Sequence, residues 1–282
     1  MKASAWSNRL QRCWHRLAIP DTIDASPVRQ IIVTSAIVLR RVPFAEADLV
    51  VTLLSIECGR VSALARSARK SSRRFSGGLG MAATGEAHLR DRSGADLMVL
   101  ESFEARDDRS ALGMDVAKAA HAAYAIELCD RLCPAREPEK AVFAWLDEFL
   151  TRLGAGTATA ERLRVFELGL LRRLGIGPSL DRCVVCGRSD LGSEDVRWYP
   201  ARGGAVCRTC GPRGDLMSGQ VRGELEHLSR TSLADADSLV LDRDVSTNCR
   251  RAVLALIREH VHGPLRSLDF IEKMSVAMSN SR

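Results

Sequence analysis

The sequence predicts an α+β protein built from a small closed barrel of short strands followed by a helical region that a cysteine module interrupts. Three observations carry this prediction. Residues 31–106 read as about five short strands with no helical pattern between most of them. After Asp107 the chain turns Ala/Leu-rich, with apolar residues at helical spacing. Two C-x2-C pairs stand twenty residues apart inside that second part.

A chain of 282 residues with 46% hydrophobic content can bury a real core and has room for two domains. The divisions are an N-terminal extension at 1–30, expected to be disordered, a barrel at 31–106, and a helical domain at 107–282 with the module at 181–213. The basic N-terminus lacks the continuous apolar stretch of a secretory signal, and no run reaches the ~18 apolar residues of a membrane helix. Nine cysteines, mostly scattered, do not form a secreted disulfide framework, so a reducing, cytoplasmic setting is expected.

Within the barrel, IIVTSAIVLRR is rich in β-branched residues and stops before Pro43. DLVVTLLSI and RVSALAR flank Glu57-Cys58-Gly59 and read as a hairpin. MAATGEAHLR and LMVLESFEAR flank Asp91-Arg92-Ser93-Gly94, a second turn signal. Five strands in so short a span fit an OB-fold. In the second part, 111–133 reads as a helix stopped by Pro134, and 139–153 repeats the pattern around Phe143, Leu146 and Leu150. Leu163, Phe166, Leu170 and Leu174 mark a third helix, with Gly175 placed to cap it. Helical spacing resumes at 219–229, 246–261 and 267–278.

Cys183, Cys186, Cys207 and Cys210 carry the clearest chemistry. Two residues between cysteines put both thiolates on one side of a tight turn, and a second such turn completes a tetrahedron. A glycine follows each pair, in CVVCG and CRTCG, where a positive φ would let backbone N–H groups point at sulfur. The set predicts one structural Zn²⁺; two unrelated pairs of core or redox cysteines are the plainer alternative. No histidine or water position completes the set, so a closed site is expected rather than a catalytic one. The surrounding charges are mixed, with six arginines (Arg213 the last) against four acids, which gives little support for DNA contact there. Cys129 and Cys133 fit small core residues. Cys13 with His15 falls in the extension, and His260-x-His262 fits a helix C-terminus.

The net charge of +6 is not spread evenly. Residues 107–282 hold twenty-five basic and twenty-five acidic residues, so all the excess lies upstream of them. It is densest in RVSALARSARKSSRRF (60–75), which has six cations and no acid. Arg66, Arg69, Lys70, Arg73 and Arg74 would neutralise phosphates, with Arg60, Arg40 and Arg41 as helpers. Five neutralised phosphates would make log K fall with log salt at a slope of about −3.5 on single strands. A solvated surface loop is the bland alternative. Phe44, Phe75 and Phe103 are the only aromatics of the barrel, too few for sequence reading by stacking, so contact through the backbone is expected. No P-loop, G-x-S-x-G or H-E-x-x-H occurs, and no enzyme is predicted. Besides DNA binding, the residues leave room for a zinc-stabilised scaffold for protein assembly, and for an enzyme using Cys129 and Cys133.

Three segments resemble the bacterial recombination mediator family RecO. IVLRRVPFAEADLVVTLLSIECGRVSALARSARKSSRRF (37–75) is similar to that family's first strand, its Glu-x-Asp link (Glu46, Asp48), its hairpin and its basic loop. FELGLLRRLGIGPSLDRCVVCG (166–187) and HVHGPLRSLDFI (260–271) continue the likeness in order. Pro43-Phe44-Ala45 stands where the family more often has an aromatic–glycine pair. The resemblance implies an N-terminal OB-fold and a helical domain that carries the zinc module. It further implies a RecF-pathway mediator that binds single- and double-stranded DNA and anneals complementary strands. The implied partners are RecR, the acidic C-terminal tail of single-strand-binding protein and, indirectly, RecA.

Overall fold

The computed structural model describes residues 31–91, 97–211 and 214–280, with side chains to residue 273. The extension at 1–30 with Cys13 and His15, the Arg92-Ser93-Gly94 part of the second turn, and Arg213 lie outside the described residues.

Six strands form the first part: β1 (Ile31–Pro43), β2 (Leu49–Ser55), β3 (Gly59–Ala65), β4 (Phe75–Ser76), β5 (Thr84–Arg90) and β6 (Met98–Asp107). They pair in the order β3-β2-β1-β5-β6-β4, and a parallel pairing of Ala63 and Leu64 with Met98 and Val99 closes β3 onto β6. This is a partly open five-stranded barrel of the OB type, with β4 as a short addition on β6.

The unbroken apolar run in β1 follows from burial on both faces. Ala36 and Val38 point into the barrel beside Val51, Leu53, Leu89, Leu100 and Phe103. Ile37 and Leu39, with Leu54 of β2, join the core of the helices instead. The barrel is therefore packed against the helices through the outer faces of β1 and β2.

The helices are α1 (Val116–Leu132), α2 (Lys140–Ala155), α3 (Ala160–Arg173), α4 (Gly219–Arg230), α5 (Arg243–His260) and α6 (Arg266–Asn280). Asp115, Thr159, Ser218 and Asp242 start α1, α3, α4 and α5, each accepting from a backbone N–H of the first turn. At the end of α3, Gly175 takes φ +73, and the N–H groups of Gly175 and Ile176 donate to Arg172 O and Leu171 O. Cys129 and Cys133 are buried in the helical core.

The α3 helix is buried along Arg162–Leu171, including three charged side chains. Arg164 pairs with Glu167, whose Oε1 accepts from the Tyr124 hydroxyl at 2.6 Å, while Arg162 reaches Asp237. Arg164 thus meets its counter-charge inside the core, and Arg162 meets its own at the core's edge.

Between α3 and α4 the cysteine module forms a sheet of its own, ordered β8-β7-β9, from β7 (Val196–Tyr199), β8 (Gly204–Val206) and β9 (Asp215–Met217). Two long side chains fix it to the helices. Trp198 Nε1 donates to Ala252 O of α5 at 3.1 Å. Arg222 of α4, 5% exposed, donates to Leu180 O at 3.0 Å and to Leu191 O at 3.4 Å.

The seam between barrel and helices is polar at its edge. Gly59, at φ +64, lets the β2–β3 hairpin lie so close to the α1–α2 link that a Cβ there would stand 1.9 Å from Glu137 O. The neighbouring Arg60 O accepts from Arg136 N at 2.9 Å.

Candidate metal centre and nucleic-acid interface

The four predicted cysteines converge. Their sulfurs all lie within 4.8 Å of one another, and Cys186 Sγ stands 3.8 Å from Cys207 Sγ. Tetrahedral coordination at a metal–sulfur distance of about 2.3 Å requires sulfurs about 3.8 Å apart, so the set fits one ion. Cys183 and Cys207 are buried, Cys210 is half-buried and Cys186 is exposed.

Backbone donors complete the cage: Val185 N and Cys207 N each donate to Cys183 Sγ at 3.4 Å. Gly187 and Gly211 do adopt φ +75 and +112. The turn at Gly187 is closed by its own N–H, which donates to Cys183 O at 2.9 Å, while the N–H groups of Val185 and Cys207 point at sulfur as the sequence predicts. The Thr209 hydroxyl, 3.1 Å from Cys207 Sγ, draws that thiol down to about 6. Cys210 is pushed up to about 12 by hydrogen bonding to Cys186 and Cys207. An ion bound there would be held by the four sulfurs as thiolates, displacing their protons. Elsewhere Cys129 is held well above its ordinary range by its hydrogen bond with Cys133 and by burial. That is a poor setting for a thiolate nucleophile at neutral pH.

The basic run forms the loop from Arg66 to Arg74, between β3 and β4. Two carboxylates of the β1–β2 link shape it. Asp48 Oδ1 accepts from Ser67 N at 2.7 Å, fixing Ser67 at φ +56. Glu46 Oε1 pairs with Lys70 Nζ at 2.8 Å, and Glu46 O accepts from Arg69 Nη1 at 3.0 Å. Within the loop, Lys70 N and Ser71 N both donate to Ser67 O at 3.0 Å. Arg66, Arg69, Lys70 and Arg73 are exposed.

The remaining predicted cations lie outside this exposed set of the loop. Arg74 is half-buried: it donates to Arg66 O at 2.6 Å and lies 5.3 Å from the centroid of the Phe75 ring. Arg60 turns away from the loop, with Nε donating to Cys133 O at 2.8 Å and Nη1 3.6 Å from Asp130. Arg40 is exposed and stands 3.6 Å from the same Asp130, and Arg41 is exposed. In the sequence, Asp48 and Glu46 carry no signal beyond their place in the Glu-x-Asp link. Their role as ties for the basic loop rests on folding that brings residues 46–48 against 67–70.

Comparison with known proteins agrees with this arrangement. A family model described as "Recombination protein O N terminal" matches residues 30–108, and "Recombination protein O C terminal" matches 114–269. The chain belongs to the RecO family. It is 38% identical over 245 residues to the DNA repair protein RecO of Anaeromyxobacter sp. (strain Fw109-5), covering 85% of this chain and 95% of that one. It is 33% identical over 247 residues to the DNA repair protein RecO of Myxococcus xanthus, covering 86% and 97%. Similarity to the Geobacter sulfurreducens DNA repair protein RecO is 32% over 240 residues, covering 85% and 97%. Family and fold thus stand as the sequence predicts: an OB-fold ahead of helices, with a four-cysteine cluster able to hold a metal ion. Among the described residues, no helix is long and apolar enough to cross a membrane.

Proposed function

We propose that this chain is a non-enzymatic recombination mediator of the RecF pathway, working in the bacterial cytoplasm on single- and double-stranded DNA. The observation that carries the reading is the loop at 66–74, where Arg66, Arg69, Lys70 and Arg73 face solvent on a backbone tied to Asp48 and Glu46. Arginine forks and a lysine so presented match phosphate oxygens without reading bases. Bases held only by their backbone stay open to a complementary strand, which is what annealing requires.

In this reading the barrel is the DNA domain (31–106) and the helical domain (107–282) is the protein-facing part. Family membership supports RecR, the tail of single-strand-binding protein and, indirectly, RecA as partners. The metal is one Zn²⁺ held by Cys183, Cys186, Cys207 and Cys210, since four thiolates in tetrahedral spacing favour that ion. Bound there, it would fix the module rather than activate water. Arg41 and Arg40 extend the cationic surface along β1, while Arg60 serves the seam with the helices and Arg74 the backbone of the loop itself.

Strand annealing with complementary oligonucleotides, bare and coated by single-strand-binding protein, tests the proposal. Faster annealing in both cases is expected. No acceleration with folded, metal-loaded protein would contradict the mediator reading.

A further inference from the structure

The barrel has three aromatic side chains, and the fold treats them differently. Phe75 and Phe103 are buried in the barrel core at 3% and 0% exposure, whereas Phe44 is 66% exposed. Phe44 stands in the β1–β2 link, directly beside the basic loop. Its N–H donates to Asp48 O at 3.1 Å, closing the turn whose Asp48 and Glu46 hold Ser67, Arg69 and Lys70. The ring is thus displayed on a fixed backbone, in the link that ties down the basic loop. Arg40 lies four residues back along β1, about 13 Å away at strand rise. Residues 40–46 are all exposed, so Phe44 continues an open stretch of chain that begins at Arg40.

Taking the DNA-binding reading of the loop as its basis, we infer that Phe44 is a stacking platform for one base of a single strand whose phosphates lie on the neighbouring cations. An exposed ring close to phosphate-binding groups offers a π face that any base can use. The acidic Glu46 nearby does not oppose this, because its carboxylate is paired with Lys70 and the stacked base is uncharged. In a duplex both faces of every base are already covered, so the platform discriminates by strandedness. It adds one stacked base to a contact otherwise made through phosphates, leaving the other bases open for pairing. Phe44 carries no charge, and its contribution is therefore blind to salt.

The test uses the full chain with a mixed-sequence oligonucleotide, single-stranded and as a duplex, across a salt series. Phe44→Ala is expected to weaken single-strand binding about tenfold, toward the low end of what one stacked base supplies, at an unchanged salt slope. Its duplex affinity should match that of the wild type. Phe44→Trp should keep single-strand affinity, and its added indole emission should be quenched by single strands but not by the duplex. Phe44→Leu should behave like Phe44→Ala. Three results would overturn the inference: unchanged single-strand affinity in Phe44→Ala, equal weakening for single strand and duplex, or full rescue by leucine. The first, joined to a weakened protein complex, would assign the ring to a protein partner. A variant lacking the loop cations separates the two readings. If it binds DNA poorly while Phe44→Ala binds normally, the platform falls and the loop reading stands; if it binds normally, the loop reading falls.

Discussion

The Asp48 carboxylate accepts the backbone N–H of Ser67 at 2.7 Å, so an acid of the β1–β2 link sets the shape of a basic loop nineteen residues away. The bond holds Ser67 at φ +56, a conformation that a serine adopts only when its surroundings support it. Two effects of removing Asp48 oppose each other. Deleting a negative charge beside the cations favours phosphate binding, while releasing Ser67 lets Arg69, Lys70 and Arg73 spread. The tie should win: Asp48→Ala is expected to lower DNA affinity three- to tenfold, and Asp48→Asn, which keeps an acceptor, should retain most of it. Fluorescence-anisotropy titration checks this, and tighter binding by Asp48→Ala would show that the loop needs no tether.

Arg60 belongs to the same cationic run in sequence but to the seam in structure. Its Nε–H donates to Cys133 O at 2.8 Å, and its side chain is only 27% exposed. Arg60→Ala should therefore cost about 1–2 kcal/mol of stability through a lost charged hydrogen bond. The salt slope of DNA binding should not move. Urea unfolding and a salt series on the same variant decide the matter. A stable variant with a shallower slope would return Arg60 to the DNA surface.

Arg60 also shows what a sequence leaves unsaid. Five strands were legible because β-branched runs, turn residues and the doubled burial of β1 all leave local marks. The four cysteines were legible because tetrahedral coordination imposes their spacing. A charge run does not tell which members face inward, since the partners of Arg60 are Cys133 and Asp130, some seventy residues on. For the same reason α3 read as a helix with one apolar stripe, although Arg162, Arg164 and Glu167 lie inside the core. Arg164 and Glu167 pair with each other, but Tyr124, which donates to Glu167, and Asp237, which pairs with Arg162, come from distant segments. The two-residue β4 and the module's three short strands carry too few residues for any periodicity to register.

His121 makes folding sensitive to acid. Burial, with Arg164 and Arg162 nearby and only Asp115 opposing, lowers its pKa from 6.5 to about 4. Between those values the unfolded chain binds a proton that the folded one does not, so stability rises with pH there and is lost as pH falls. Well above pH 6.5 the group contributes no slope. From pH 6.5 to 4.5 the loss should reach about 2 kcal/mol from this group. Chemical denaturation at several pH values, with wild type and His121→Gln, checks it. An equal acid loss in both would remove His121 from the cause.

Metal removal should damage the helical part before the barrel. The module is held by Trp198 on Ala252 O and by Arg222 on Leu180 O, and its own sheet has only short strands. Chelation, or Cys183→Ser, is expected to shift Trp198 emission to the red and lower the melting temperature by several degrees or more. Elemental analysis should find one zinc per chain in the untreated protein. Metal-free protein with unchanged emission and melting would contradict a structural role.

The central claim, that the exposed cations of the 66–74 loop neutralise DNA phosphates, is tested most directly by the salt dependence of single-strand affinity. Four such cations predict that log K falls with log salt at a slope of about −3, slightly shallower than five would give because Arg74 is engaged by Arg66 O. Replacing Arg66, Arg69, Lys70 and Arg73 together with alanine should make that slope much shallower and remove most of the affinity. A quadruple variant that remains folded and keeps the wild-type affinity and slope would contradict the account.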